Sequence, residues 1–244
     1  MPPGVVGGAV SGPLTTQPAR AVAEPADDGR SVLRLWLVRH GRTLFNERGI
    51  AQGWCDSPLT EDGVAGVERL ARDLRDVAWE GVYSSTSGRA MDTAEILVAD
   101  RHPIAADRRW KEYNFGIWEA RPNAEVFTAL ADLTAPGADP FSTVRGIFTG
   151  DYPALERGET GAAYRARVVG ALADIRERHP RGDVLVVTHG MTVGVALTFA
   201  DPGFDLGHGM DNATFSVLEY GLDGSVAIRA HGARSREELV TAPV

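Results

Sequence analysis

Two histidines in this sequence follow apolar runs, and a glycine follows each of them. His40 ends the stretch that begins at Leu33, with Arg39 beside it, and His189 ends a second stretch, followed by Gly190. A neutral imidazole is a competent nucleophile near pH 7, because its unperturbed pKa is about 6.5. Glycine lets the chain turn sharply and lets a ligand approach the backbone. The repeated arrangement indicates one site that uses both imidazoles, with polar surface turns at two strand ends as the alternative.

An arginine and a glutamate elsewhere in the chain could supply the positive charge and the proton transfer that such a site would use. Arg89 lies in the first turn of a predicted helix, where the helix dipole disfavours a cation. A bound anion gripped by the guanidinium would explain this position, and a surface ion pair with Asp92 is the alternative. Aromatic surroundings would favour the protonated form of Glu112 and a role as acid and base, with a solvated loop glutamate as the alternative. The stretch around it contains Trp110, Tyr113, Phe115 and Trp118.

Strand and helix patterns alternate along most of the chain. Apolar or alternating runs predict strands at 33–38, 81–83, 103–105, 184–187, 214–220 and 225–229, the last two antiparallel. Helical spacing predicts helices at 60–74, 90–97, 124–133, 164–175 and 191–199, while 134–158 is predicted to be a loop. The alternation predicts a three-layer αβα fold with a mostly parallel central sheet. Ligands of such sheets bind outside the carboxyl ends of the strands, where both histidines lie.

Composition limits the classes of function. The 244 residues carry 25 basic and 33 acidic side chains, and the net charge of −8 argues against nucleic acid and anionic membrane surfaces as partners. No apolar run has the length of a membrane span, and the single cysteine, Cys55, excludes an intrachain disulfide or a cysteine-rich metal site. We expect a cytoplasmic protein with no cofactor and no metal. The Pro-, Gly- and Ala-rich residues 1–30 are predicted to be a disordered tail.

Several stretches, in family order, resemble the motifs of the histidine phosphatase superfamily in its phosphoglycerate mutase-like branch. They are "LVRHGRTLFNERGIAQGWCDSPLTEDG", "YSSTSGRAMDTAEIL", "WKEYNFGIWEA", "GET", "VVTHG" and "DNATFSVLEY". The resemblance covers most of residues 33–219 and implies a phosphoglycerate mutase-like fold. It implies a domain at 31–232, in which 121–158 is a lid-like insertion, and a C-terminal tail at 233–244.

The resemblance also implies a role for each matching residue. His40 would accept the phosphoryl group as a covalent phosphohistidine. Glu112 would protonate the leaving oxygen and later deprotonate the attacking water. The phosphoryl oxygens would be bound by Arg39, Arg89 and a protonated His189. The phosphate and substrate pocket would be lined by Thr43, Asn46, Gln52, Gly53 and Gly190.

The segment after the acid motif bears on the class of reaction. Family mutases resemble one another in a long basic segment there, whereas residues 121–158 hold three arginines, no lysine and five acidic side chains. We therefore expect a phosphatase that acts on a small phosphorylated substrate, with this segment as a mobile lid that sets specificity. The alternatives are a cofactor-dependent phosphoglycerate mutase and a phosphate-binding module without catalysis. The sequence leaves open the substrate, the choice between monomer and homodimer, and the role of Arg42.

Overall fold

A six-stranded sheet forms the centre of the computed structural model, which describes residues 32–134, 140–206 and 210–239. The predicted tail at 1–30 and the last five residues of the predicted C-terminal tail lie outside these ranges. The strand order is β3-β2-β4-β1-β5-β6, and only β5 runs against the others. The predicted, mostly parallel sheet is therefore confirmed. Its strands are β1 (Leu33–Arg39), β2 (Trp79–Ser84), β3 (Ala105–Ala106), β4 (Gly182–Thr188), β5 (Phe215–Tyr220) and β6 (Val226–Ala233).

Helices cover both faces of the sheet, which confirms the three-layer fold. Helices α2 and α3 pack on one face, and α6 and α7 pack on the other, where α4 and α5 extend the layer. No helix in the described ranges combines the length and the apolar character needed to cross a bilayer. The helices are α1 (Leu44–Glu47), α2 (Glu61–Leu74), α3 (Gly88–Val98), α4 (Asn123–Thr134), α5 (Pro140–Thr149), α6 (Gly161–Arg178) and α7 (Gly190–Ala200).

Alternate side chains of β1 enter two separate cores. Leu35 and Leu37 are fully buried in the core on the α6 and α7 face, whereas Trp36 and Val38 are buried in the core on the α2 and α3 face. A strand that is covered on both faces requires a continuous apolar run, which explains the sequence "LRLWLV". The strand is therefore a rigid support for the polar residues that follow it.

The two strands that precede the histidines are direct neighbours. β1 and β4 pair in parallel, in a register that places Arg39 opposite Thr188. His40 and His189 therefore leave the sheet side by side at the same edge. β2 lies on the other side of β4 and delivers α3 to that edge.

The prediction of a loop across 134–158 is wrong for its central part, where α5 spans Pro140–Thr149. Pro140 occupies the first helical position, where its missing N–H costs no hydrogen bond. Ile147 and Phe148 are buried in the core that α5 shares with α6 and α7. Tertiary burial, more than local propensity, therefore stabilises this helix. The third strand, predicted at 103–105, is observed at Ala105–Ala106.

Candidate active site

His40 is held as a neutral ring in a defined tautomer. Its Nδ1 lies 2.8 Å from the carbonyl oxygen of Gly41, which can only accept, and Nε of Arg89 donates to its Nε2 at 3.2 Å. Nδ1 therefore carries the proton and Nε2 carries the lone pair. Burial, followed by the charges of Arg89 and Arg39, lowers the pKa of His40 well below 6.5. At neutral pH the ring consequently keeps an unprotonated nitrogen.

Arg89 connects both histidines to the loop at 52–56. Its side chain is fully buried, and its Nη2 lies 3.0 Å from Nδ1 of His189. Its other hydrogen bonds, besides the one to His40, go to the carboxylate of Asp56 and the backbone carbonyls of Gln52, Gly53 and Cys55. The alternative of a surface ion pair with Asp92 is therefore wrong, because the guanidinium lies inside the protein.

His189 is neutral in this arrangement, which corrects the prediction of a protonated ring. Arg89 can only donate, so Nδ1 of His189 accepts, and its Nε2 donates to the hydroxyl of Ser85 at 2.8 Å. Burial, followed by the charges of Arg89 and His40, lowers the pKa of His189 well below 6.5. The centroids of the His40 and His189 rings are 5.2 Å apart. The positive charge of the site therefore resides on the arginines.

Arg39 offers a donor that the surrounding protein leaves without a partner. Its Nη1 donates to the carbonyl of Met210, while its buried Nε has no hydrogen-bond partner in the part of the chain that the structure describes. Burial lowers the pKa of Arg39, although a guanidinium still carries its charge at neutral pH. An unpaired buried donor on a cation is costly unless an anion accepts from it. This position suits a ligand with phosphate-like oxygen acceptors.

Glu112 is a buried residue that lines the same cavity as His40, so the alternative of a solvated loop glutamate is wrong. The hydroxyl of Tyr164 donates to its Oε1 at 2.6 Å, and the N–H of Tyr113 donates to the same atom at 3.0 Å. The N–H of Met191 donates to its Oε2 at 3.0 Å. These donors fix the carboxyl group in position, and Oε2, which within the described ranges accepts only from Met191, keeps a second lone pair. Glu112 can therefore exchange a proton with a bound ligand.

The first turn of α7 contacts Glu112. The helix begins at Gly190, with His189 as its N-cap, and the Met191 N–H points at the Glu112 carboxylate. This hydrogen bond fixes the orientation of the Glu112 carboxyl group at the N-terminus of the helix. Gly190 lines the cavity, and a Cβ added there would lie 3.6 Å from the guanidinium of Arg39.

Glu119 holds the loop that in turn holds Arg89. Its carboxylate accepts, at 2.7 to 3.1 Å, the backbone N–H groups of Gly53, Trp54, Cys55 and Phe115. Carbonyls of the same loop accept from Arg89, so one loop joins the two charged side chains. A side chain at Gly53 does not fit, because a Cβ there would lie 2.1 Å from the carbonyl oxygen of Tyr113.

The predicted pocket residues take two kinds of position. Asn46 and Gln52 line the cavity. Thr43 is fully buried, caps α1, and accepts a hydrogen bond of 2.6 Å from Nε2 of Gln52. Gly53 contributes its backbone to the loop around Arg89. Thr43 and Gly53 therefore position the side chains that face the ligand.

A cavity of about 970 Å³ lies at the carboxyl edge of the sheet. Its volume accommodates a phosphoryl group together with a substantial leaving group. The rest of its wall comes mainly from α4, α5 and α7. Its polar end is formed by Arg39, His40, Asn46, Gln52, Glu112 and Gly190.

Arg42 and Cys55 flank the site without offering it a charge or a nucleophile. Nε of Arg42 lies 3.7 Å from the carboxylate of Glu47, and both side chains are exposed, so this ion pair contributes little to stability. Burial, followed by Glu119, raises the pKa of Cys55 to about 12, so the residue stays a thiol. Across the described ranges, no group of three or more His, Cys, Asp or Glu side chains is placed to hold a metal ion.

Sequence reasoning missed the residues that position the candidate catalytic groups. Tyr164 was predicted only as part of the apolar stripe of α6, and its hydroxyl contacts Glu112. Arg167, one turn further along α6, donates to the backbone carbonyl of Glu112. Glu119 and Ser85 carry no motif-level signal of their contacts. A hydroxyl on an otherwise aliphatic stripe was the available signal for Tyr164, because a buried Tyr O–H requires a partner.

The fold and the site define a class of α/β proteins that place histidines and arginines at the carboxyl edge of a mostly parallel sheet. Within that class, the chain belongs to the histidine phosphatase superfamily, branch 1, whose family model matches residues 35–231. The resemblance seen in the motifs is therefore confirmed.

Some of the similar relatives and solved structures are named as phosphoglycerate mutases, and others are named as phosphatases. The chain is 32% identical over 170 residues to a probable phosphoglycerate mutase, GpmB, of Yersinia pestis (strain Pestoides F), covering 68% of this chain and 74% of the relative. It is similar to the crystal structure of phosphoglycerate mutase from Bacillus anthracis str. Sterne, with 28% identity, a TM-score of 0.73, and 84% and 95% of the two chains covered. A mycobacterial glucosyl-3-phosphoglycerate phosphatase in complex with VO3 matches with 26% identity, a TM-score of 0.68, and 82% and 98% covered.

Proposed function

We propose that this protein is a phosphatase that hydrolyses a phosphate monoester through a covalent phosphohistidine on His40. The observation that carries the proposal is the tautomer of His40. Its Nδ1 proton is committed to the carbonyl of Gly41, and the Nε2 lone pair is held against Arg89 on a ring that lines the cavity. A buried, neutral imidazole with an unprotonated nitrogen is a nucleophile that needs no separate base.

In the first step, the Nε2 lone pair of His40 attacks phosphorus and the ester P–O bond breaks. Glu112 transfers a proton to the departing oxygen, so the products are an alcohol, a phosphohistidine and the Glu112 carboxylate. The hydrogen bonds from Tyr164 and Met191 hold the carboxyl group ready for this transfer.

In the second step, water attacks the phosphorus atom and the P–N bond breaks. The Glu112 carboxylate takes a proton from the water, and the products are inorganic phosphate and the original neutral His40. The same carboxyl group therefore serves as acid and then as base. At the end of each turnover, Glu112 is protonated again and His40 is neutral again.

Two arginines supply the positive charge that phosphoryl transfer requires. The unpaired Nε of Arg39 and the Nε of Arg89 are the donors available to phosphoryl oxygens in this proposal. Preorganised donors of this kind act strongly in a site that excludes water. We expect a chelator to leave activity unchanged, and loss of activity in chelator would instead favour a metal-dependent phosphatase.

The choice of phosphatase over mutase rests on charge in the cavity, because the names of the relatives include both activities. A mutase must hold a doubly phosphorylated intermediate. Among the described lining residues, Arg39 and Arg145 are the guanidinium groups, and Arg145 donates to the backbone carbonyls of Pro202 and Phe204. A second phosphate therefore finds no uncommitted arginine in the described wall.

Rapid quench with a ³²P-labelled aryl phosphate tests the proposal. We expect acid-labile label on the wild-type protein and on His102→Ala, a control histidine outside the site, and no label on His40→Ala. Turnover that persists in His40→Ala contradicts the mechanism. Binding without label or turnover in the wild type favours a binding module. Rapid formation of 2-phosphoglycerate from 3-phosphoglycerate with catalytic bisphosphoglycerate favours a mutase.

A further inference from the structure

The cavity wall beyond the polar end is largely apolar. Six apolar side chains of this wall come from α4, α5, α7 and the segment that ends at residue 206. Some are buried in the core and the others are partly buried against it. A bound leaving group therefore meets mainly hydrocarbon. These six are Val126, Phe127, Val144, Phe148, Met191 and Leu206.

Two of the polar side chains in this wall, Arg145 and His231, are engaged with the protein. Arg145 donates to backbone carbonyls of Pro202 and Phe204. The ring nitrogens of His231 lie 3.0 Å from the hydroxyl of Ser216 and 3.4 Å from the carbonyl of Leu206.

Two carboxylates strengthen the selection against anions. Asp205 and Asp211 line the cavity, and Asp211 forms an ion pair with Arg234. A carboxylate or a second phosphate on the leaving group would therefore approach these two carboxylates, and the guanidinium of Arg145 in the same wall is already bonded to backbone carbonyls. Hydroxyl groups on the leaving group are also disfavoured, because a hydroxyl that is buried against hydrocarbon loses its hydrogen bonds to water.

We propose that the substrate, on the premise of the phosphatase function, is a phosphate monoester whose alcohol has an uncharged, apolar body. Phosphate binds at Arg39 and His40, and the body extends along Phe127 and Val144. Each methylene covered by the wall contributes about fourfold in affinity for the transition state. The cavity therefore selects alkyl or aryl phosphates over phosphorylated sugars and phosphorylated carboxylic acids.

Three substrates with comparable leaving groups test this selection. Hexyl phosphate, glycerol 3-phosphate and 3-phosphoglycerate each release a primary alcohol, so they differ in the body and little in intrinsic reactivity. We expect kcat/KM for hexyl phosphate to exceed both others by at least about 30-fold. p-Nitrophenyl phosphate serves as the probe for basal turnover.

A matched pair of variants on α4 locates the selectivity. Phe127→Lys puts a cation into the cavity, and we expect it to lower kcat/KM for hexyl phosphate by about 10-fold and raise that for 3-phosphoglycerate. Leu133→Lys places the same cation on an exposed part of the same helix, where the wild-type leucine is 51% exposed, and leaves both values unchanged. Should Phe127→Lys fail to fold, the nearly isosteric Val144→Thr lowers the preference by about threefold.

The outcomes separate this inference from the function it rests on. Wild-type preference for 3-phosphoglycerate or glycerol 3-phosphate overturns the inference and leaves the phosphohistidine chemistry standing. A preference for hexyl phosphate that neither Phe127→Lys nor Val144→Thr reduces also overturns it, because the selectivity would then arise elsewhere. Absence of both acid-labile label and phosphate release from p-nitrophenyl phosphate overturns the phosphatase function itself.

Discussion

The Nε atom of Arg89 donates a hydrogen bond of 3.2 Å to Nε2 of His40, the nitrogen that attacks phosphorus in the proposed mechanism. The same guanidinium also binds His189 at 3.0 Å. Phosphorylation of Nε2 would remove the present acceptor and bring phosphoryl oxygens to the same donor. In the proposed mechanism, one buried cation therefore keeps the nucleophile unprotonated before the reaction and would counter the phosphoryl charge after it.

Arg89→Lys tests how far the proposed role of Arg89 depends on the shape of its guanidinium group. A lysine ammonium cannot reach both histidines and the loop carbonyls at once. We expect kcat/KM to fall by at least about 100-fold and the free energy of unfolding to fall by roughly 3 kcal/mol, measured by steady-state kinetics and denaturant unfolding. The exposed Arg42→Lys is the matched control and should change kcat/KM by no more than about twofold and the free energy of unfolding by no more than about 0.5 kcal/mol. Near-normal activity in Arg89→Lys would remove Arg89 from the mechanism.

Glu112→Gln should separate leaving groups by their need for a proton. The amide cannot donate the proton that an alkoxide leaving group requires, so the phosphorylation rate of hexyl phosphate should fall by about 10²- to 10⁴-fold. The loss on p-nitrophenyl phosphate should be much smaller, because its leaving group departs as a stable anion. Rapid-quench measurement of the phosphorylation step compares the two, with Glu68→Gln on the exposed side of α2 as the control. Equal losses on both substrates would exclude general acid catalysis by Glu112.

Glu119→Gln tests whether the loop at 53–55 positions Arg89. A carboxylate accepts all four backbone N–H groups, whereas an amide presents its NH2 to some of them. We expect roughly 2 kcal/mol of lost stability, and a fall in kcat, by about tenfold, that persists where circular dichroism shows a fully folded protein. If kcat of the folded variant equals that of the wild type, Glu119 has a purely structural role.

The free energy of unfolding should decrease as the pH falls from 7 towards 5. In the unfolded chain His40 and His189 protonate near 6.5, while burial and Arg89 keep them neutral in the folded protein to lower pH. The unfolded state binds more protons in this window, so acid favours unfolding by up to about 1.4 kcal/mol per pH unit for each histidine. His40→Gln should reduce the slope of the free energy of unfolding against pH, measured by denaturant titrations at several pH values. An unchanged slope would contradict the lowered pKa of His40.

Much of the fold and the core of the site followed from local patterns. The apolar runs before His40 and His189 were sufficient to predict two buried parallel strands. The carboxyl ends of parallel strands lie at the same edge of a sheet, independently of the conformation of the loops. The prediction failed at α5, where proline and glycine spacing indicated a loop. Burial of Ile147 and Phe148 against α6 and α7 outweighs that local preference.

The amino-acid sequence, through residue types at strand ends and helix starts, was enough to predict the family, the sheet and five residues that the fold brings together. The protonation state of His189, the loop that joins Glu119 to Arg89, and the hydrocarbon wall around Phe127 required the tertiary structure. The physical reason is that a pKa depends on burial and on charges from distant parts of the chain, and a cavity wall depends on which helices meet. Arg89 and His189 are 100 positions apart in the sequence and 3.0 Å apart in the molecule.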